Sequence, residues 1–93
     1  RTMKELTGEF PWFPKLDEVR ADALIQIAFN LGLTRLRKFK RALGAMENAI
    51  EKADDSFFGI AKIEFLDSIW STQVGQRAVT LSTMIETGQY PDE

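Results

Sequence analysis

The sequence predicts an all-α fold, about five or six short helices packed around a central buried helix. Three observations carry that expectation. Apolar residues recur at spacings of three and four in several segments. No segment alternates apolar and polar residues with period two for long enough to make a strand. Helix-start residues such as Asp17 and Asp54-Asp55-Ser56, and helix-stop glycines such as Gly32 and Gly88, separate the periodic runs. With 93 residues, 44% of them hydrophobic, the chain has enough apolar material for one core.

Residues 1–15 hold two of the three prolines and the cluster Phe10-Pro11-Trp12-Phe13-Pro14. Each proline lacks a donor and restricts its predecessor, so the stretch reads as an ordered connector that packs its rings onto the domain. Asp17 is placed to cap a helix running to about Leu31, with Glu18 in its first turn and Gly32 at its end. Val19, Ala23, Leu24, Ile25, Ile27, Ala28, Phe29 and Leu31 wrap most of its circumference, which puts this helix in the middle of the domain. Thr34 is placed to cap a short helix. Phe39, Leu43, Met46, Ile50 and Ala53 then form one apolar stripe. Phe57, Phe58, Ala61, Phe65 and Leu66 follow the Asp54-Asp55-Ser56 start, and a short helical turn surrounds Trp70. The last helix carries Val74, Ala78, Leu81 and Ile85 and stops at Gly88, with Pro91 beyond.

Composition removes several functions. Cysteine and histidine are both absent, which excludes disulfides, thiolate metal sites and His-dependent triads; no metal and no cofactor is expected. Twelve Lys and Arg stand against 14 Asp and Glu, so a net charge of −2 gives no global pull toward nucleic acid, and none is expected as a partner. No apolar run approaches the roughly 20 residues of a membrane span.

Three constellations bear on chemistry. Glu64 and Asp67 stand three apart on a predicted helix, in the manner of an acid/base pair, although such spacing is ordinary on solvated faces. Arg35, Arg37, Lys38, Lys40 and Arg41 place five cations within seven residues; this reads as a wet helix face or as a patch that approaches an anionic polymer. Trp70, Gln73 and Arg77 combine an indole, an amide and a guanidinium, with Gln73 and Arg77 four apart and so on one helical face. That set suits a sugar, and a core role for Trp70 stands beside it.

Leu16-Asp17-Glu18-Val19-Arg20, the aliphatic helix ending Phe29-Asn30-Leu31-Gly32, and the stretch Asp67-Ser68-Ile69-Trp70-Ser71-Thr72-Gln73-Val74-Gly75-Gln76-Arg77-Ala78 resemble the phage-type, T4-like lysozyme family. Met84-Ile85-Glu86-Thr87-Gly88 closes the final helix in the same manner, and Phe39 lies seven residues after Gly32, as the family's aromatic does. The resemblance runs from about residue 10 to the end and corresponds to the family's C-terminal helical lobe.

It implies a muramidase, a glycoside hydrolase that cleaves the β-1,4 bond between N-acetylmuramic acid and N-acetylglucosamine in peptidoglycan. The family's cleft lies between a small N-terminal lobe, which carries the catalytic Glu with an Asp and a Thr nearby, and the helical C-terminal lobe. No stretch of this sequence matches that catalytic pattern, and Glu5 and Glu9 lack its Gly-rich surroundings. The resemblance therefore implies no catalytic residue here, with residues 1–15 as the connector from an N-terminal lobe and residues 16–93 as the helical lobe. By position, Asn30, Phe39, Trp70, Gln73 and Arg77 are the expected substrate-binding residues. Arg77 corresponds to an arginine facing the catalytic Glu; because a nearby cation lowers a carboxyl pKa, whereas a general acid needs it raised, its expected role is to orient that group. The implied partners are a peptidoglycan glycan strand and the N-terminal lobe, with self-association through the exposed cleft face as a further expectation. The implied setting is synthesis in a bacterial cytoplasm and action on the cell wall. A noncatalytic helical module that binds cell wall or a protein and shares only the fold is the alternative.

Overall fold

The structure, a computed structural model, describes residues 2–91. Arg1 of the expected connector, and Asp92 and Glu93 of the expected lobe, lie outside the described residues. Among those described there are seven α-helices and no strand: α1 (Thr2–Glu9), α2 (Glu18–Leu31), α3 (Leu33–Leu36), α4 (Lys40–Lys52), α5 (Ser56–Leu66), α6 (Ile69–Val74) and α7 (Gln76–Thr87). No helix among them is long and apolar enough to cross a membrane.

The expected connector contains a helix. Thr2–Glu9 forms α1 and buries Leu6 completely, and only then do Pro11 and Pro14 take effect, in the 3-10 turn Phe13–Lys15. Trp12 and Phe13 go into the core as expected, and Phe10 stacks on Trp12 with centroids 5.2 Å apart. Arg37, just past α3, pairs with Glu9 at 2.8 Å, tying α1 to the end of α3 through an exposed and therefore weak bridge.

α2 begins where the sequence places it. Asp17 Oδ2 accepts the Arg20 N–H at 3.1 Å, and Gly32, at φ 81°, ends the helix. Its core side is Arg20, Ala23, Leu24, Ile27, Ala28 and Leu31. Phe29 is not part of it. At 83% exposure it lies on the outer side with Asn30, which corrects the picture of a helix apolar all round. The most extensive helix pairings are α4 with α5 and α5 with α7, while α2 lies against α7 with one face open. Gly32 also precedes α3, so Thr34 sits inside that helix rather than at its cap.

α4 buries Ala42, Leu43, Ala45, Met46 and Ala49. Ala53, expected on the stripe, instead ends the helix in the left-handed region at φ 51°. Asp54 Oδ1 accepts the Ser56 N–H at 3.0 Å and starts α5, whose Phe58, Ala61 and Phe65 are buried. At the α5–α6 corner, Ser68 Oγ accepts the Ser71 N–H and Ser71 Oγ donates to the Leu66 carbonyl at 2.6 Å. These bonds fix the turn that carries Trp70 inward.

A buried arginine joins the first long helix to the last. Arg20, 8% exposed, donates from Nε to the Ile85 carbonyl at 2.6 Å and from Nη2 to the Glu86 carbonyl at 2.9 Å. Its Nη1 meets Asp17 Oδ1 at 3.0 Å, and its guanidinium lies 3.8 Å over the Phe58 ring. Gly88, at φ 69°, leaves room for it: a Cβ there would fall 2.9 Å from Arg20 Nη1. Gly88→Ala is therefore expected to destabilise the chain by about 2 kcal/mol or more, through the left-handed backbone and the displaced guanidinium together. Arg20→Met should cost about 3 kcal/mol, since it strands two helix-end carbonyls and the Asp17 charge. Denaturant unfolding of both variants and the double variant checks this; the double variant should cost less than the sum, because the clash disappears with Arg20.

Candidate functional site

The five residues expected to bind substrate do not converge on one cavity. Trp70, 3% exposed, is a core residue: its ring meets Phe39 and Phe65 edge-on, each at 6.4 Å. This is the core role that the sequence left open for it beside the sugar-binding one. Phe39 is half-buried and leans on Phe65 at 5.3 Å. Asn30 and Gln73 are both exposed. Gln73 and Arg77 do not share a helix, because Gly75, at φ 59° and ψ −123°, breaks the chain between α6 and α7. The spacing of four was read across a joint that only a glycine backbone forms readily.

Arg77 is exposed and is joined to α2, with Nη2 donating to Gln26 Oε1 at 3.3 Å. Around them lies a cavity of about 380 Å³ lined by Gln26, Gln76, Arg77, Thr80, Met84 and Tyr90 among others. The Tyr90 hydroxyl donates to Asp22, one turn earlier on α2. The outer face of α2 thus presents Asp22, Gln26, Phe29 and Asn30 at helical spacing, with Arg77 and Tyr90 alongside. Sequence reasoning missed Gln26, Tyr90 and the exposure of Phe29. The signal was available for Phe29, which falls three residues after Gln26 and out of phase with the buried Leu24, Ile27 and Leu31.

Trp70 borders a separate recess of about 210 Å³, with Leu31, Arg35, Lys38, Phe39, Ser68 and Ile69. Its indole Nε1 is the one buried side-chain polar atom without a hydrogen-bond partner among the described residues. Glu64 and Asp67, the spaced carboxylate pair, line a third recess of about 410 Å³ together with Lys38, Lys40 and Arg41.

Glu9 is unsuited to proton donation. The hydrogen bond from Arg37 holds its carboxyl below the usual carboxylate range, whereas a general acid has to keep its proton near neutral pH. Its share of folding stability is present above the ordinary carboxyl value and is lost as pH falls through the lowered one.

No protein-family model matches the chain, and no solved structure matches it. The chain is similar to a protein named Probable T4-type lysozyme 2 from Dictyostelium discoideum, being 30% identical to it over 76 residues. That stretch covers 82% of the chain and 41% of the relative, so the chain spans less than half the length of the protein it matches. The likeness is to a lysozyme of the type that the motifs of residues 67–78 resemble.

The Tyr90–Asp22 contact gives a direct check on this face. Donation to the Asp22 carboxylate pushes the Tyr90 hydroxyl up to about 12 from an ordinary 10.0. The contact therefore supports the fold fully below pH 10 and loses its effect as pH rises through about 12. Because the chain has a single tyrosine, phenolate absorbance reads this group alone. The midpoint is expected near 12, and Asp22→Asn should return it toward 10.0; an ordinary midpoint in the unmodified chain would remove the contact.

Proposed function

We propose that this chain belongs to the T4-like lysozymes and is the helical half-site of a peptidoglycan muramidase, with residues 1–15 leading to a second lobe that carries the catalytic carboxyl. The observation that carries the reading is the outer face of α2, where Phe29, 83% exposed, sits beside Asn30 and one turn from Gln26, itself hydrogen-bonded to Arg77. An aromatic side chain so exposed among amides and a guanidinium is a surface made to be covered, and a cleft between lobes covers it. The likeness to 41% of a T4-type lysozyme supports the same division, since the remainder of that relative is where a second lobe would lie.

On this reading the glycan strand runs along the face of Gln26, Asn30 and Arg77 and goes on to the exposed Gln73 of α6, and these side chains hydrogen-bond its hydroxyls and N-acetyl groups. Arg77 holds the catalytic carboxyl of the other lobe in register and is itself held by Gln26. Trp70 and Phe39 act from beneath, as the packed floor that fixes the chain after Gly32 and the start of α6. The half-site supplies position and no proton donor, so the acceleration it provides alone is small. Its place of action is the bacterial cell wall.

Purified peptidoglycan incubated with the 93-residue chain should release no soluble muropeptides. The same chain joined to the part of the Dictyostelium relative that it does not match should release them, and Arg77→Ala in that fusion should lower kcat by about tenfold or more, with a smaller rise in KM from the lost glycan contact. Release by the chain alone would place a catalytic carboxylate within these residues and overturn the half-site.

A further inference from the structure

The outer side of α4 carries its charges in an order that opposes the helix. Lys40, Gly44, Glu47 and Glu51 fall at spacings of four, three and four and so line one stripe, on which Lys40, Glu47 and Glu51 are exposed. Arg41 stands beside the start of the stripe and is exposed as well. Cations in the first turn and a carboxylate in the last are both placed against the helix dipole, and Glu47 and Glu51, four apart, repel each other. Only Lys52, in the last turn, is placed with the dipole. The ion pairs among the described residues are Arg20–Asp17, Arg37–Glu9 and Lys62–Glu86, so nothing in the chain offsets the charges of the stripe.

The middle of the stripe is also open. A Cβ on Gly44 would meet nothing within 4 Å, which makes this point of α4 a low saddle. Recesses flank it on both sides: one of about 310 Å³ bordered by Phe10 and Leu43, and one of about 360 Å³ toward α5 bordered by Phe57 and Ile60. Ile60 is 47% exposed, an apolar side chain beside an unfilled groove.

A partner for this face has to be anionic at the start of α4, cationic toward its end, and able to come close at Gly44. A nucleic acid or a uniformly acidic peptide meets the first condition and is repelled by Glu47 and Glu51. The stripe turned end for end meets all three, because it is its own complement in charge. We infer that this face pairs two copies of the chain, with their α4 helices antiparallel about a two-fold axis that passes between Gly44 and Glu47. Lys40 of each copy then lies opposite Glu51 of the other, and Gly44 lies opposite Glu47, which Arg41 also reaches, so that each ion pair occurs twice. Each helix start meets the other's end, where the opposed dipoles attract. Ile60 borders the contact and is covered with it. One helix and its flanking grooves make a small interface, so the dimer is weak and forms at high concentration. The outer face of α2 takes no part in it.

Sedimentation velocity of the chain from about 10 µM to about 1 mM tests the pairing. A monomer–dimer equilibrium is expected, weakened about tenfold or more as salt rises from about 50 mM to about 500 mM. Lys40→Glu with Arg41→Glu, and separately Glu47→Lys with Glu51→Lys, should each stay monomeric. An equimolar mixture of the two should associate at least as tightly as the parent, because their faces are then opposite in sign. Gly44→Gln should keep the helical circular dichroism of the parent and lose the dimer, since its side chain stands where the two axes approach. A parent chain that is monomeric at about 1 mM, charge-reversed variants that dimerise like the parent, or a mixture that stays monomeric while both variants keep the parent's spectrum would overturn the inference. So would a dimer dispersed by Phe29→Ser with Asn30→Ala and not by Gly44→Gln, which would put the contact on the face of α2.

Discussion

The guanidinium of Arg20 is the contact on which the arrangement of α2 and α7 depends. It lies between the start of one helix and the end of the other, where the two sets of unsatisfied backbone groups need opposite partners. Asp17 caps the start of α2 with one carboxylate oxygen and holds Arg20 with the other, while Arg20 takes up the Ile85 and Glu86 carbonyls at the end of α7. The Phe58 ring beneath brings α5 into the same joint. Gly88 is part of it too, because its lack of a Cβ gives the guanidinium its space. A buried cation is expensive unless it is fully bonded, so this joint has one arrangement rather than several. Tyr90, two residues past Gly88, bonds to Asp22 and ties the segment after α7 to α2 as well.

That joint gives the outer face of α2 its fixed geometry. Gln26, Phe29 and Asn30 project from a helix pinned at its start by Asp17 and stopped at its end by Gly32, and Arg77 reaches Gln26 from a helix pinned to it. Residues intended for a cleft need support of this kind, since a surface that shifts by an ångström loses much of its value to catalysis. The rings of Trp70, Phe39 and Phe65 do the corresponding work for the other side of the molecule, holding α6 and the α3–α4 turn around the charged recess.

Much of the fold was legible in the sequence because local signals and core pattern agree. Asp17, Gly32, Asp54 and Gly88 mark ends that the structure keeps, and Leu24, Ile27, Leu43, Met46, Phe58, Phe65, Leu81 and Ile85 are buried. The errors have specific causes. Composition put proline into residues 1–15 and hid a helix that ends just before the first of them. Counting apolar residues around α2, without asking which shared a stripe, put Phe29 inside; the same stripe, read by phase, includes Arg20, the buried cation. Spacing alone joined Gln73 to Arg77, where Gly75 turns the chain. For the candidate site, the residue types were visible but their convergence was not: no periodicity reports that Arg77 meets Gln26, or that Trp70 turns inward with an unpaired N–H.

The central claim is that the glycan of a cell wall lies along the outer face of α2. Amide NMR mapping with soluble glycan strands tests it most directly. The account predicts shifts confined to Gln26, Phe29, Asn30, Gln73 and Arg77 and their neighbours, lost in Phe29→Ser with Asn30→Ala. Shifts centred elsewhere on the molecule, or a chain that glycan leaves unmoved, would contradict it.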